Sequence, residues 1–530
     1  MLCLKYLRDR FCLMKTLLKT YAPGLILFVI SLVIGMMVYK DYGVAWDDPI
    51  QRDLGLVSYN YAFHKDQTLN TIADRDYGVA FELVLIGIER YLDLSDSRDI
   101  YLSRHLSIHV FFLLSAFMAY VLFYRLFRSN IIACLGFLAL VFHPRIYAHS
   151  FFNSKDVPFL SAILIAIVFA HFAFTERRML LFFLLGLCTG YATAIRIMGV
   201  MLILIISFFL LIDFISSVRK RKEVLHACLR TVFFMLGTTL MLYASWPILW
   251  EHPVDELVNS FKSFSHYAWN GQVLFNGVTA PADQLPRWYA PFWFAISTPL
   301  LWLVLGAAGI GLLLHRLVKS PARFFLNTYE RNFTICLLCF AGPVLAVLIL
   351  GSKLYDDWRH LYFIYPSFVL MVLYVTSQLA AKPTARWLLS LVCTAQLVYL
   401  GYFVVRYHPL QQVYFNKLVS HKEDYLRSQY EMEYWGSSYK QGLEYILEHD
   451  KSDSIRVFWS LHPVINNVGI LTPVQRKRLV LVGRGEYPFY FVTNYRQKDP
   501  LEGRHYPMVY KLEVLNNIVL GVYKIDGPKD

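Results

Sequence analysis

Residues 21–49 read "YAPGLILFVISLVIGMMVYKDYGVAWDDP". The stretch contains a run of about 20 predominantly apolar residues, the length that a helix needs to cross the hydrocarbon core of a bilayer. Two adjacent carboxylates, Asp47 and Asp48, follow closely on this run. The stretch therefore predicts a membrane-spanning helix with a charged segment at one end, and it raises the question of which side of the membrane carries the two aspartates.

The composition of the whole chain agrees with a membrane protein. Its 530 residues are 57% hydrophobic and only 17% charged, and the mean hydropathy is +0.43, which predicts a polytopic α-helical membrane protein. The net charge of +13 comes from short basic tracts between apolar runs, which is typical of topology signals rather than of nucleic-acid binding. The placement of the cysteines indicates no extracytoplasmic disulfide framework, and the N-terminal residues contain no convincing signal-peptide cleavage site.

The apolar runs predict about eleven membrane spans. They lie near residues 22–40, 106–124, 130–143, 157–174, 179–194, 198–216, 231–249, 291–314, 333–351, 361–380 and 387–405. The loops that alternate with them differ in charge, because every second loop is basic and poor in acidic residues. Basic loops stay in the cytoplasm, so we expect the N terminus there and both aspartates of "WDDP" outside.

This orientation divides the chain into two predicted parts. Residues 1–405 form a membrane domain whose long first extracytoplasmic loop, 41–105, contains stretches with roughly helical spacing of apolar residues, as expected of helices lying in the membrane interface. Residues 406–530 combine one helical stretch with strand-like runs, which predicts a small extracytoplasmic α/β domain.

Three acidic residues stand out at predicted helix starts. Asp47 and Asp48 precede Pro49, and Asp156 precedes the fourth span two residues before Pro158. Aspartate before such a proline is a common helix cap, so a structural role has to be weighed for each. The segment 143–156 also contains His149, Asn153 and Lys155, and such polarity beside hydrocarbon indicates a polar cavity. Its histidine spacing matches no dedicated metal motif.

Arginines at the ends of predicted spans form a third group. Arg359 and His360 lie in "YDDWRHLYFIYP", Arg104 begins the second span, and Arg196 lies between the fifth and sixth. Each arginine could pair with a neighbouring acid, and the guanidinium fork is also suited to phosphate oxygens.

The order of these motifs resembles the GT-C superfamily of integral membrane glycosyltransferases. The resemblance is closest to the bacterial glycosyltransferase 39-like group, which includes protein O-mannosyltransferases and aminoarabinose transferases, and it rests on "HPRIYAHSFFNSKDVPF", "YDDWRHLYFIYP", "HPLQQVYFN" and "YEMEYWGSSY". The acidic pair is Asp-Asp, whereas Asp-Glu is common in relatives, which leaves open which carboxylate is the base.

The resemblance implies a GT-C fold and transfer of a sugar from a polyprenyl-phosphate donor to a hydroxyl of an extracytoplasmic lipid, glycan or protein. It implies acid or base roles for Asp47, Asp48 and Asp156. Phosphate binding falls to Arg359, Arg104, Arg196 and Lys155, and substrate contacts to His149, Asn153 and His360. Relatives differ in metal dependence, so a divalent cation stays open. The protein would then reside in the inner (plasma) membrane, with its C-terminal domain in the periplasm of a Gram-negative cell.

Two other functions fit a polytopic membrane protein. A transporter or lipid flippase would line a substrate path with intramembrane charges, and a scaffold would use the tail to bind partners. The polar clusters gather on one predicted face, and neither an inverted repeat nor paired broken helices is visible, which favours the glycosyltransferase.

Overall fold

The computed structural model describes residues 2–265, 269, 271–459, 462–483, 485–496 and 506–528, with side chains except for residues 2–18, 264 and 265. Helices dominate this part of the chain. They are α1 Leu2–Val38, α2 Asp48–His64, α3 Ala80–Tyr91, α4 Ser97–Phe127, α5 Asn130–Val141, α6 Pro144–Phe152, α7 Asp156–Glu176, α8 Met179–Ile195, α9 Val200–Lys220, α10 Val224–Ser245, α11 Pro253–Ser265, α12 Tyr289–Ser297, α13 Leu300–Lys319, α14 Pro321–Leu326, α15 Thr328–Leu350, α16 Tyr365–Leu379, α17 Pro383–Arg406, α18 Tyr425–Gln429, α19 Tyr439–His449, α20 His462–Gly469 and α21 Pro473–Arg478.

Nine helices in the described ranges are long and apolar enough to cross a membrane, or ten if the bent pair α5 and α6 counts as one span. This confirms a polytopic helical protein but is fewer than the eleven spans expected. The difference is α8, which is apolar but has only 17 residues, at the lower limit of spanning length. In the bundle, α7 and α16 are the most buried of the candidate spans, whereas α1 and α17 lie at the periphery.

The polar segment that follows the third predicted span contains a short helix. Residues 144–152 form helix α6, which bends by 61° from α5. His143 and Pro144 stand at the bend, and proline at the first helical position favours a new helix start. All residues of α6 are buried, so its polar side chains face other parts of the protein.

The first loop and the tail contain the expected secondary structure. Both amphipathic stretches of the loop 41–105 are helical, as α2 and α3. The described part of the chain after residue 271 contains seven strands: β1 Gln272–Phe275, β2 Val278–Pro281, β3 Ile455–Phe458, β4 Leu479–Val482, β5 Phe489–Thr493, β6 Met508–Val514 and β7 Asn517–Ile525. The last five form one mixed sheet with the order β4-β3-β5-β7-β6, which confirms the C-terminal α/β fold.

The tail is packed directly against the helical bundle. The chain leaves α17 at Arg406 and runs through a largely buried segment, 410–416, before it reaches the sheet. Within this segment the Asn416 amide nitrogen donates to the carbonyls of Ala295 and Thr298, at 2.6 and 2.7 Å. The division into domains at residues 405 and 406 stays a prediction.

Candidate active site

A cavity of about 1300 Å³ lies where the first loop, the ends of several spans and the tail meet. Polar residues line one side of it: Asp47, Lys155, Arg196, Asp356, Arg359, His360, Arg427, Glu431, Asn494 and Arg496. The other side is an apolar groove formed by Val200, Met201 and Leu204 of α9 with Gly342, Pro343, Ala346, Val347 and Leu350 of α15. A single cavity therefore joins a charged region to a surface suited to hydrocarbon.

Arg359 stands at the centre of the charged region. Its Nη1 atom lies 3.2 Å from Asp47 Oδ2 and 3.5 Å from Asp156 Oδ2, and its Nη2 atom lies 3.0 Å from Asp356 Oδ2. The guanidinium also lies 4.7 Å from the ring centroid of Trp435. Asp47 and Asp156, which are about a hundred residues apart in sequence, thus meet on one arginine.

The structure separates the two aspartates of "WDDP". Asp47 occupies the N-cap position of α2 but makes no capping hydrogen bond with its side chain, which is 36% exposed and lines the cavity. Asp48 is buried, with its Oδ1 atom 4.0 Å from Arg104 Nη2. Burial, opposed by the Arg104 charge, raises the pKa of Asp48 to about 7. Only Asp47 faces the space that a substrate can enter.

Arg104 belongs to this second, closed cluster. It donates from Nη2 to Glu82 Oε2 at 2.8 Å and to Ser154 Oγ at 3.3 Å, and Ser154 donates to Glu82 Oε1 at 2.5 Å. Neither Arg104 nor Asp48 lines the cavity. Their positions beneath α2 favour a role in fixing the first loop over direct contact with a ligand.

The side chain of Asp156 does not cap helix α7, because Asn153 caps this helix end instead. Asn153 Oδ1 accepts hydrogen bonds from the backbone N–H groups of Asp156 and Lys155, at 2.8 and 3.2 Å. The amide nitrogen of Asn153 donates to Asp156 Oδ2 at 3.0 Å. The Asp156 carboxylate also pairs with Arg196 Nη2 at 2.6 Å, so it bridges the two arginines of the site.

Two buried arginines and one partly buried lysine line the cavity wall. Within the described residues, Nε of Arg359 and the Nε and Nη1 atoms of Arg196 make no hydrogen bond. Lys155 Nζ lies over the ring of Tyr77, 3.5 Å from its centroid. Burial, together with the nearby Arg196 charge, lowers the pKa of Lys155 to about 7. Buried N–H groups without acceptors are costly, which suits a wall that receives an anion.

Of the three residues predicted to contact the substrate, one lines the cavity and two do not. His360 lines the cavity. His149 does not: its Nε2 atom accepts from Trp435 Nε1 at 3.2 Å, and Asn153 Nδ2 lies 3.2 Å from its Nδ1. His149 and Asn153 therefore support the wall behind Asp156 and Arg359, and their assignment to substrate binding stays a prediction.

The tail contributes residues to the site that the sequence does not indicate. Arg496 donates from Nη2 to Asp356 Oδ1 at 2.5 Å and from Nη1 to the Tyr434 carbonyl at 2.6 Å, and Asp356 in turn binds Arg359. Glu431 lies 3.9 Å from Arg496 Nε, and burial raises the pKa of its carboxyl group to about 8. Arg496 follows shortly after strand β5, and nothing in the sequence around it indicates a cavity.

In the loop before Arg359, an unusual backbone conformation directs two neighbouring aspartates to different partners. Asp356 and Asp357 both have positive φ angles, 54° and 63°, a region that aspartate tolerates better than most residues. Asp357 turns the other way from Asp356 and accepts from Arg145 Nη1 at 2.8 Å and from the Tyr434 hydroxyl at 2.7 Å. Asp357 therefore fixes the loop to the rest of the protein, whereas Asp356 lines the cavity.

Across the described residues, no group of three or more His, Cys, Asp or Glu side chains is arranged to hold a metal ion. The carboxylates of Asp47, Asp156 and Asp356 pair with arginines instead.

Comparison with known proteins shows what the chain is similar to. Residues 100–242 match the family model described as dolichyl-phosphate-mannose-protein mannosyltransferase. The structure resembles ArnT from Cupriavidus metallidurans bound to undecaprenyl phosphate, with a TM-score of 0.51 and 13% identity over 95% of this chain and 99% of that one. The chain has the GT-C fold. The predicted fold and enzyme class are thereby confirmed.

Two further solved structures are similar to this chain. They are the apo state of the same ArnT, with a TM-score of 0.48 and 14% identity over 95% of this chain and 99% of that one, and an Archaeoglobus fulgidus oligosaccharyltransferase, with a TM-score of 0.48 and 9% identity over 86% and 64%. No curated protein matches the chain in sequence.

Proposed function

We propose that the transferase moves a sugar from a polyprenyl-phosphate donor to a hydroxyl group of an extracytoplasmic lipid, glycan or protein. The observation that carries the proposal is the cavity itself. It places a carboxylate, Asp47, beside the cations Arg359, Arg196 and Lys155, and it continues into an apolar groove. A lipid phosphate has the matching chemistry, because its head group is anionic and its tail is apolar.

The groove supports entry of the lipid from the bilayer. It lies between the start of α9 and the end of α15, and Leu204 and Leu350 at its edge are 65% and 76% exposed. At their far ends the same helices are joined by a bidentate pair, in which Arg331 donates to Asp213 at 2.6 and 3.0 Å. The two helices are thus joined by an ion pair at one end and present apolar side chains to the groove at the other.

The reaction needs one proton acceptor and one stabilised leaving group. Asp47 takes the proton of the acceptor hydroxyl, whose oxygen forms a bond to the anomeric carbon of the sugar. The bond from that carbon to the phosphate oxygen breaks, and the electron pair leaves with the lipid phosphate. The unpartnered N–H groups of Arg359 and Arg196 stabilise the charge that develops there, while Asp156 and Asp356 hold Arg359 in place.

The decisive experiment compares cells with and without the gene. Mass spectrometry of the cell-envelope glycans should show one missing sugar, and the lipid fraction should show accumulation of the same sugar on a polyprenyl phosphate. Unchanged lipid-linked sugars together with unchanged envelope glycans would contradict the proposal. Accumulation of the lipid-linked sugar on the cytoplasmic face alone would support a flippase instead.

Lys155 gives the site a predicted pH dependence. Because the pKa of this lysine is lowered to about 7, its charge is present below pH 7 and is lost as the pH rises beyond it. The wild-type protein should bind undecaprenyl phosphate about tenfold more tightly than Lys155→Gln at pH 6, since a charge-assisted hydrogen bond is lost. This advantage should vanish by pH 9. A ratio of affinities that stays constant from pH 6 to 9 would contradict the prediction.

Membrane orientation is tested by cysteine labelling in a background without the native cysteines. Lys451→Cys in the tail should react with an impermeant reagent added outside the membrane. Lys222→Cys, between α9 and α10, should react only from the cytoplasm, because the surrounding tract is basic. Both positions are exposed. Labelling of position 451 from the cytoplasm alone would also remove the basis for an extracytoplasmic active site.

A further inference from the structure

The position of Asp47 is set by its backbone. Its side chain makes no capping bond to α2, and its only ion pair in the described structure is with Arg359. The residues before it, 43–46, belong to no helix or strand. What holds this short segment therefore determines where the carboxylate lies relative to the cavity.

The tail holds the segment through one side-chain amide. Asn467 on α20 accepts from the Val44 N–H at 2.9 Å through Oδ1 and lies 3.1 Å from the Val44 carbonyl through Nδ2. The side-chain amide thus pairs with both backbone groups of Val44, as a neighbouring strand would. The Trp46 N–H adds a second link, because it donates to the Trp435 carbonyl at 2.8 Å.

The remaining contacts fix Asn467 itself. Its Nδ2 atom is also 3.0 Å from the Gly436 carbonyl and 2.9 Å from the Pro463 carbonyl, and the side chain is fully buried. Val44 packs in one apolar cluster with Leu102 and Ile470. The approach is so close that a Cβ atom on Gly43 would lie 2.1 Å from the Ser437 carbonyl oxygen.

We infer that Asn467 is a positioning residue for Asp47: the C-terminal domain completes the active site by holding the segment 43–46 through this amide. The inference rests on the proposed role of Asp47 as the base. It explains how a domain that lies after the last span can govern a residue at the end of the first. Without the amide, Val44 loses partners for both of its backbone groups, and the start of α2 is free to move away from Arg359.

The test uses the full-length protein in nanodiscs and measures release of polyprenyl phosphate from the lipid extract of cells that lack the gene. Asn467→Ala should lower kcat by about 10-fold to 10²-fold, because displacement of a reacting group by about 1 Å costs that much. KM for the lipid extract and binding of undecaprenyl phosphate should stay within about twofold, since the cations of the cavity are untouched.

The matched control is Asn416→Ala. It removes an equally buried amide that also joins the tail to the bundle, but Asn416 does not line the cavity. It should lower the melting temperature with little effect on kcat of the folded protein. Equal losses of kcat in both variants, or an unchanged kcat in Asn467→Ala, would overturn the inference. If Asn467→Ala does not fold, Gly43→Ala perturbs the same contact from the other side and should give the same kinetic signature.

A double-mutant cycle separates this inference from the proposed function. In an Asp47→Asn background, Asn467→Ala should change the residual rate by less than about twofold, because the positioned group is already gone. A further large loss would assign Asn467 a different role and overturn the inference. Full activity of Asp47→Asn alone would instead reject the base assignment itself.

Discussion

Asp47→Asn is expected to lower kcat by about 10²-fold or more, since the change keeps the shape of the side chain but removes the proton acceptor. The carboxylate is the acid at the cavity wall that is both accessible and next to Arg359. Its ion pair with Arg359 holds the carboxylate at the cavity. Release of polyprenyl phosphate from the lipid extract measures the effect, and the affinity for undecaprenyl phosphate should change little.

Two neighbouring aspartates provide the controls. Asp53→Asn alters an exposed acid on the same helix and should leave kcat unchanged. Asp48→Asn alters the buried cluster around Arg104 and should affect the melting temperature more than the rate. Near-normal turnover in Asp47→Asn would show that the residue has only the structural role at the start of α2 that its position before Pro49 suggests.

Arg359→Lys should fold, bind part of the donor and lose about 10²-fold in kcat. Lysine keeps the charge, but a single ammonium group cannot contact Asp47, Asp156 and Asp356 while it also meets a phosphate. The loss should fall mainly on kcat, because contact with the leaving phosphate matters most as charge develops. Arg359→Ala should also lower the melting temperature, since it removes one of the two cationic partners of each buried carboxylate, Asp156 and Asp356.

Arg331→Lys is the matched control for this substitution. Arg331 is equally buried and forms a bidentate pair with Asp213, but it lies at the opposite end of α15 and does not line the cavity. It should lower stability and leave kcat of the folded protein near the wild-type value. Arg359→Lys with unchanged kcat would assign Arg359 to a structural ion network and remove it from the reaction.

The sequence predicts the parts of the site that lie in compact motifs. Asp47, Asp156 and Arg359 stand at the ends of apolar runs, where a charge is costly without a partner, and their convergence in the structure follows from spans that end on the same side. The sequence did not predict that Asp48 turns away, because a one-residue difference at a helix start changes which face a side chain occupies.

The contributions of the tail could not be predicted in this way. Asn467 contacts the first loop across 423 residues, and Arg496 contacts the loop before Arg359 across 140 residues. A polar residue in an α/β domain gives no signal of such a contact. The bend between α5 and α6 was missed because a buried polar helix and a polar loop have the same composition. Only the packing of the bundle distinguishes them.

The apolar groove between α9 and α15 is short. Its α15 side runs from Gly342 to Leu350, about 12 Å of helix at 1.5 Å per residue, and the Asp213–Arg331 pair joins the helices beyond it. A long carrier lipid can place only the part of its tail next to the phosphate there, and the remainder stays among the membrane lipids. The transferase would then be insensitive to the number of isoprene units, so that one enzyme serves carriers of different length and water-dispersible, truncated donors remain substrates.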